Sequence, residues 1–432
     1  MALENVAPNP SNRRWAKPFF TIWTGQAVSL LGSQMVQFAL IWWLTKLTES
    51  ATVLTTATLV GILPRVILGP FVGALVDRWD RRKIMIFADA GIALATLGLG
   101  VLFYLDWAAI WAVYLILFFR ALGSGFHSPA MTSSTSLMVP DAQLTRVQGM
   151  NQTLANGLNI VSAPLGALLL EVLSVGSVLL IDVVSALFAV LPLLFIGIPQ
   201  PENGELAQNG SLVSSVWDDF RAGLKYVFQW PGLRIILFMA LFINMIVTPA
   251  FALLPLLVRE HLGGNALQLG WVNSAFGIGA VCGGLLLSAW GGFSKKIVTS
   301  QAGLIGLSLG LGVVGFTPAQ ALTTAIVGVF LIGAMLPLTN GPINAVIQSA
   351  VDPSVQGRVF TLVGALASAM APLGLIVAGP LSEVFNIQIW FLVGGLLTLG
   401  FGIFGLLSPA LMSLEEKSHR GEGDQPDAPA VP

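Results

Sequence analysis

The chain has 432 residues, of which 55% are hydrophobic and only 9% are charged, and its mean hydropathy is +0.83. Because a soluble domain carries roughly 25% charged residues, this composition predicts an integral membrane protein. The net charge of -1 argues against nucleic-acid binding, which needs a concentrated basic patch, and the single Cys282 excludes an internal disulfide framework.

Twelve apolar segments are long enough to cross a bilayer, which takes about 20 mostly apolar residues. They lie at 19–44, 53–76, 84–105, 109–128, 148–173, 177–198, 233–258, 267–290, 297–316, 323–343, 359–384 and 389–411. We therefore predict an all-α integral membrane fold of about 12 transmembrane helices. The predicted regions are a tail (1–18), a six-helix bundle (19–198), a linker (199–232), a second bundle (233–411) and a C-terminal tail (412–432).

The basic residues predict the orientation, because Lys and Arg collect in cytoplasmic loops. With both termini inside, sixteen of the twenty basic residues fall on the cytoplasmic side, whereas Lys46 and Arg259 fall outside. Arg65 and Arg120 lie within spans. We expect a multi-pass protein with two cytoplasmic termini, whose first span is retained rather than cleaved as a signal peptide.

The two sets of six spans share three sequence matches at nearly one offset. They are 82–85 with 295–298, Pro129 with Pro342, and Ala-Pro-Leu-Gly at 163–166 with the same four residues at 371–374. The matches predict two homologous bundles with pseudo-twofold symmetry about an axis along the membrane normal. Two bundles related in this way are one of the known architectures of membrane transporters, in which the substrate site lies near mid-membrane between the halves.

The linker contains an amphipathic stretch at 211–230, with apolar residues on one helical face and charged residues on the other. We predict a helix that lies on the inner membrane surface. An ordinary solvated loop is the alternative interpretation.

The segment 73–83, Gly-Ala-Leu-Val-Asp-Arg-Trp-Asp-Arg-Arg-Lys, joins the second and third predicted spans. It resembles the signature loop of the major facilitator superfamily, with Asp80 in place of that loop's second glycine. The resemblance implies a conformational role for Gly73, Asp77, Arg78, Arg81, Arg82 and Lys83. We expect Gly69 and Gly73 to permit close helix contact, and Asp77 to face the positive end of the helix that starts near Gly357. The alternative is that the basic residues only set topology.

Further motifs resemble the macrolide-efflux branch of the drug:proton antiporter group, with enterobactin exporters and a lysophospholipid flippase in neighbouring branches. These motifs are 21–30, 120–130, 181–182, 357–360 and 390–394. The resemblance implies proton-driven export through the plasma (inner) membrane, with Arg120 as the residue associated with coupling. The antiporter motif of the fifth span normally contains Gly-Pro, where this chain has Ala163-Pro164.

Four ionisable residues lie deep inside predicted spans, where charge is costly and often functional. They are Arg65, Asp89, Arg120 and Asp182, all in the first half. Two cations and two anions can also neutralise one another as structural pairs. We propose Asp182, Arg120 and Asp89 as proton-coupling candidates, because a carboxyl group in a dry site can bind and release a proton. Asp89 also lies close enough to the signature loop to pair with Arg82 or Arg78.

Neutral polar residues and Arg65 are candidates for the substrate cavity. The set is Gln26, Arg65, Asn151, Asn244, Asn340 and Asn344. Hydrogen bonds between helices are the alternative role for the neutral members, and a mid-span arginine would suit an anionic substrate or a lipid headgroup.

An enzyme is not expected, because the three histidines lie in separate segments and no metal-ligand cluster, nucleophile motif or phosphate loop is present. We expect no cofactor and no metal, an ion gradient as the energy source, a small-molecule substrate, and a monomer in the lipid bilayer. The function favoured is efflux of macrolide-like drugs or other amphipathic molecules. Alternatives are a siderophore or metabolite exporter, a lysophospholipid flippase, and a non-transporting receptor.

Overall fold

The computed structural model describes residues 15–200, 212–352 and 355–420, and every regular element in these ranges is a helix. The first six are α1 (Ala16–Thr48), α2 (Ala51–Arg78), α3 (Arg81–Tyr104), α4 (Ile110–Met138), α5 (Asp141–Val172) and α6 (Val175–Phe195). Then come α7 (Leu212–Gln229) and α8 (Pro231–Leu256), which continues as a π-helical turn (Leu257–His261). The last six are α9 (Ala266–Trp290), α10 (Lys296–Gly315), α11 (Leu322–Ala350), α12 (Gln356–Val384), α13 (Ile387–Leu407) and α14 (Pro409–Arg420).

Twelve of the described helices, α1–α6 and α8–α13, are long and apolar enough to cross a membrane by length and composition. Many large apolar side chains on them are exposed, for example Phe87, Leu94 and Leu396 at 74%, 69% and 70%. Lipid is the solvent that such a surface requires. The predicted all-α class with twelve spans is confirmed.

Local sequence signals set several helix ends. Asp80 caps α3, since its carboxylate accepts a hydrogen bond from the backbone N–H of Lys83 at 3.2 Å. Asn265 and Gln268 form a reciprocal capping box at the start of α9. Gly291 ends α9 with a φ of 77°, a backbone conformation that favours glycine.

The chain divides into two compact units. Unit 1 comprises Met1–Thr48 and Ala57–Val213, and unit 2 comprises Glu49–Thr56 and Ser214–Pro432. In unit 1, α1 packs on α5 and α6, while α3 packs on α4 and α6.

In unit 2, α10 packs on α11 and α13, α9 packs on α11, and α8 packs on α12. The first residues of α2 belong to this unit because the Glu383 carboxylate accepts hydrogen bonds from Ser50 Oγ at 2.5 Å and from the Thr52 N–H at 3.1 Å. The interfacial location predicted for α7 stays a prediction, although its Val227 is buried in an apolar cluster with α8 and α12.

Residues 409–420 form a helix, α14, where the sequence assigns a tail from residue 412. The helix packs because Leu411 and Leu414 are buried in the apolar cluster that contains Val227. Glu415 accepts hydrogen bonds from the backbone N–H groups of Lys296 at 3.0 Å and Ile297 at 3.4 Å. This carboxylate satisfies N–H groups at the start of α10 that have no partner within the helix. Residues 1–14 and 421–432 of the predicted tails, and 201–211 of the linker, lie outside the described ranges.

The repeated Ala-Pro-Leu-Gly motif makes the same kind of helix crossing in both units. A Cβ on Gly166 would lie 3.3 Å from the Met35 carbonyl oxygen on α1. A Cβ on Gly374 would lie 2.9 Å from the Met245 carbonyl carbon on α8. In each unit, therefore, the glycine lets the helix that carries the motif approach the first long helix of that unit closely.

Candidate functional site

A buried ion pair joins α4 to α6 in unit 1. Nη1 of Arg120 donates a hydrogen bond to Oδ2 of Asp182, and the two residues are 7% and 1% exposed. A lone buried charge costs several kcal/mol, and in this pair each charge is compensated by the other. Two of the four deep charges predicted from the sequence thus neutralise each other.

Two hydroxyl residues from α1 and α3 complete this cluster. Ser33 donates from Oγ to Oδ1 of Asp182 at 2.9 Å, and its carbonyl oxygen accepts from Nη2 of Arg120 at 2.9 Å. Thr96 Oγ1 accepts from Nη1 of Arg120 at 2.8 Å and contacts Asp182 Oδ2 at 3.3 Å. We call Ser33, Thr96, Arg120 and Asp182 the Arg120 layer. It ties four helices together through one pair of charges.

A second buried polar cluster lies in the same unit. The Asp89 carboxylate accepts a hydrogen bond from Gln26 Nε2 at 2.9 Å, and its Oδ1 lies 3.5 Å from His127 Nε2. Gln26, Asp89 and His127 are 3%, 7% and 7% exposed. We call these three residues the His127 layer. It brings an acid and an imidazole together, the two side chains that most often exchange protons in proteins.

The two layers are related by a regular spacing along three helices. The pairs are Gln26 and Ser33 on α1, Asp89 and Thr96 on α3, and Arg120 and His127 on α4, each seven residues apart. Seven residues make about two helical turns, or about 10.5 Å along the axis. On α6, the residue seven positions after Asp182 is Ala189, which is fully buried and apolar.

The signature loop binds the end of α6. Arg82 donates from Nε to the carbonyl oxygen of Leu193, and from Nη2 to that of Leu194 at 2.6 Å. These carbonyl groups lie in the last turn of α6, where a cation is favourable. Arg81 is buried and donates to the Ser133 carbonyl oxygen at 3.4 Å.

The other predicted residues of the loop differ in their surroundings. Arg78 and Lys83 are exposed. Among the described atoms, no other helix approaches a Cβ built on Gly69 or Gly73 within 4 Å, so the close contact predicted for them is not found in unit 1. The side chain of Asp77, and with it the predicted contact to the helix near Gly357, lies outside the described part of the chain.

The predicted pairing of Asp89 with Arg82 or Arg78 is wrong. Arg82 uses its guanidinium on the carbonyl groups of α6, and Asp89 instead contacts Gln26 and His127. The physical reason is distance, since seven helical residues separate Arg82 from Asp89 by about 10.5 Å along α3. Asp89 therefore faces the interior of unit 1.

Sequence reasoning missed His127, Ser33 and Thr96 as parts of these clusters. A signal was available for His127, because it follows Arg120 by seven residues inside the motif at 120–130. Residues seven apart lie on the same helical face. The same spacing relates Ser33 to Gln26 and Thr96 to Asp89, and Thr96 is the only serine or threonine of α3, so this signal extended to both hydroxyl residues.

The comparisons with known proteins agree with this architecture. The sequence model described as Major Facilitator Superfamily matches residues 22–375 and 233–431. The chain belongs to the major facilitator superfamily. It is therefore a multi-pass membrane transporter of small molecules and not an enzyme.

Several relatives within the superfamily cover nearly the whole chain. Macrolide efflux protein A of Streptococcus pyogenes is 35% identical over 390 residues, which is 90% of this chain and 95% of that protein. The Enterococcus faecalis protein of the same name is 34% identical, covering 76% of this chain and 99% of its own length. The multidrug efflux pump Tap of Mycolicibacterium fortuitum is 26% identical, covering 89% and 94%.

A solved structure supports the fold alone. It is a POT family transporter in complex with a thioalcohol conjugated peptide, with a TM-score of 0.67 and 12% identity. The match covers 90% of this chain and 96% of that chain.

The residues predicted for the substrate cavity occupy several different surroundings. Gln26 belongs to the His127 layer, and Arg65 is exposed with its Cγ 3.2 Å from a Cβ built on Gly125. Asn151 accepts a hydrogen bond from Trp23 Nε1 at 2.8 Å, whereas Asn244 donates to the Ala240 carbonyl oxygen on its own helix at 3.0 Å. Asn340 and Asn344 are exposed on α11.

A groove of about 930 Å³ runs along α3 and α4 in unit 1. Its walls are mostly apolar, and its charged lining residues are Arg78, Asp80 and Lys83. None of the six residues predicted for the cavity lines this groove.

Proposed function

We propose that this chain is a proton-coupled exporter of macrolide-like drugs or other amphipathic small molecules. It acts as a monomer by alternating access in the plasma (inner) membrane, with both termini cytoplasmic. The drug class is supported by the macrolide efflux proteins, which are 34–35% identical to this chain. The orientation is supported by the basic residues of the predicted cytoplasmic loops.

The buried ion pair of the Arg120 layer carries the coupling part of the proposal. Arg120 stays charged at any physiological pH, so Asp182 is the member that can gain or lose a proton. A proton on Asp182 removes the negative charge, so the ion pair is lost, while the hydrogen bonds of Arg120 to Thr96 and to the Ser33 carbonyl oxygen remain. The buried cation then lacks its counter-charge, which favours a different arrangement of α1, α3, α4 and α6.

Export of the drug uses the same cycle of Asp182 protonation. A drug that occupies the cavity while Asp182 is ionised is carried outward, and protonation from the outside returns the protein to its starting arrangement. Differential binding of drug and proton to the two arrangements is the thermodynamic requirement for such coupling. The exposed amides of Asn340 and Asn344, and the exposed Arg65, are the polar groups that we propose for drug contact. The signature loop is proposed to control the cycle through Arg82 and its contacts to α6.

The test is efflux from a drug-hypersusceptible host that expresses the chain. Panels of macrolides, siderophores and lysophospholipids are measured with and without an uncoupler of the proton gradient. We expect macrolide efflux that the uncoupler abolishes. Efflux that is indifferent to the uncoupler would contradict proton coupling, and transport of only the siderophore or only the lysophospholipid would replace the proposed substrate.

A further inference from the structure

We infer that the His127 layer is a second proton-binding site, which binds one proton between Asp89 and His127 during the transport cycle. The inference rests on the proposed proton-coupled export and adds a site that is separate from Asp182. It comes from three observations on the layer: its charge balance, its geometry and its isolation from other charges.

The two layers differ in the number of protons that they need for neutrality. Arg120 with an ionised Asp182 has no net charge, so this pair is balanced without any added proton. Asp89 with a neutral His127 has a net charge of -1 in a site where both residues are only 7% exposed. One proton makes this second pair neutral overall, and burial favours the neutral arrangement.

The geometry offers a place for that proton. His127 Nε2 is buried and, among the described residues, has no hydrogen-bond partner. It lies 3.5 Å from Asp89 Oδ1, while Gln26 occupies the other carboxylate oxygen. A proton on Nε2 would convert this contact into a charge-assisted hydrogen bond, for which the N–O distance is about 2.7–2.9 Å. Uptake of the proton therefore draws α3 and α4 together by a fraction of an ångström.

The charges on the surrounding helices do not provide this neutralisation. Arg120 lies two turns from His127 on α4 and is bonded to Asp182 of α6. Arg65 of α2 packs beside Gly125, but its side chain is exposed and, among the described residues, the contacts of the Asp89 carboxylate are with Gln26 and His127 and not with Arg65. The ionisable residues of the other helices lie towards their ends: Lys17 and Lys46 on α1, Arg81, Arg82 and Lys83 on α3, and Asp141, Arg146 and Glu171 on α5.

The first experiment observes the site directly. The chain has three histidines, His127, His261 and His419, so His127→Asn identifies the His127 ring signal in an NMR spectrum of the full-length protein in lipid nanodiscs. We expect this signal to change from the neutral to the charged form as pH falls from about 8 to about 5. In Asp89→Asn the charged fraction at a given pH should fall, because the amide does not stabilise an imidazolium. A signal that does not respond to pH, or does not respond to Asp89→Asn, would overturn the inference.

The second experiment counts protons in transport. In proteoliposomes with the membrane potential clamped, the logarithm of the macrolide accumulation ratio is plotted against the imposed pH difference, and the slope gives protons per drug. We expect a slope of about two for the wild type and about one for the double variant Asp89→Asn/His127→Asn. At a difference of one pH unit the ratio should then fall about tenfold, since each proton contributes a factor of about ten per unit.

Matched variants separate the possible outcomes. The double variant leaves no unpaired charge in the His127 layer. If this variant fails to fold, the NMR spectra of the His127 ring still test the inference, because they do not require the double variant. His261→Asn is the control, because His261 lies in unit 2, where its Nε2 is hydrogen-bonded to the Thr317 carbonyl oxygen at 2.8 Å. The slope measured for this variant should equal that of the wild type. Equal slopes for the double variant and the wild type would remove the His127 layer from coupling while proton-driven export stands. Absence of drug accumulation by the wild type would instead contradict the proposed function, and the ring spectra would still decide whether the site binds a proton.

Discussion

The two units share a repeated sequence pattern but differ in what fills their interiors. Unit 1 buries Asp89, Arg120 and Asp182 in two polar layers. Glycines at helix crossings are buried in both units, as at Gly25 of unit 1, where a Cβ would lie 2.9 Å from the Phe188 carbonyl carbon, but the described spanning helices of unit 2 bury no Asp, Glu, Lys or Arg and rely on such crossings alone. A Cβ on Gly283 would lie 2.7 Å from the Ala334 carbonyl carbon, and one on Gly303 would lie 2.7 Å from the Thr339 nitrogen.

The difference shows that a shared fold does not require shared chemistry. The glycines of the repeated Ala-Pro-Leu-Gly motif keep the same kind of crossing in both units, so backbone packing defines the bundle. Close packing of backbones is the main source of helix association in lipid. Buried charges are costly there and are often functional, which is the basis for proposing the energy-coupling role for unit 1.

The largest effect should follow from breaking the ion pair of unit 1. Asp182→Asn leaves Arg120 buried without a counter-charge, which costs about 3–5 kcal/mol, and it removes the proposed titrating group. We expect complete loss of uphill macrolide export, because without a titrating Asp182 the four helices of the Arg120 layer do not change arrangement and a proton on the His127 layer has no cycle to drive. The measurement uses inverted vesicles with an imposed pH gradient.

Two further variants make this result specific. Asp106→Asn is the control, because Asp106 is an exposed acid in the loop before α4, and it should transport like the wild type. The double variant Arg120→Gln/Asp182→Asn should recover thermal stability but not uphill export. Uphill export by Asp182→Asn would remove the Arg120 layer from the mechanism.

The next largest effect should come from the glycine packing of unit 2. Gly283→Val places side-chain atoms against the backbone of α11, and overpacking of this kind costs about 1–3 kcal/mol or more. The adjacent Gly284 has open space around its Cβ position among the described residues, so Gly284→Val should be nearly neutral. Thermal unfolding of the purified variants measures the difference, and equal melting temperatures would show that this crossing is not tightly packed.

The smallest expected effect is the loss of stability when one of two buried threonines is replaced by valine. Thr96→Val removes a hydroxyl that contacts both members of the ion pair, and we expect a loss of about 1–3 kcal/mol with slower export. In unit 2, Thr398 is equally buried, and its Oγ1 has no hydrogen-bond partner among the described residues. Thr398→Val should therefore leave stability and transport almost unchanged. Similar losses in the two variants would contradict the assignment of the functional hydroxyl to unit 1.

The sequence was sufficient to predict the fold class and the transmembrane spans. Lipid requires about 20 apolar residues in each helix, and such runs can be recognised in a sequence without knowing how the helices pack. It was also sufficient to select Arg120 and Asp182, since an ionisable residue inside a span is rare. The partner of Asp89 could not be read in this way. Pairing depends on how α1, α3 and α4 are rotated about their axes, and a side chain such as Gln26 carries no charge that would reveal it. Residues 412–420 were assigned to a tail because they are polar, and the two leucines that anchor α14 are too few to form an apolar run.

The seven-residue spacing of the two layers has a consequence for how unit 1 assembles in the membrane. If α3 were displaced by two turns, Asp89 would meet Arg120, and those charges would also neutralise each other. Asp182 would then remain buried without a cation, and His127 without an acid. Only the native register pairs both acids with their partners. The two layers therefore select one position of α3 along the membrane normal, which apolar contacts alone would not fix.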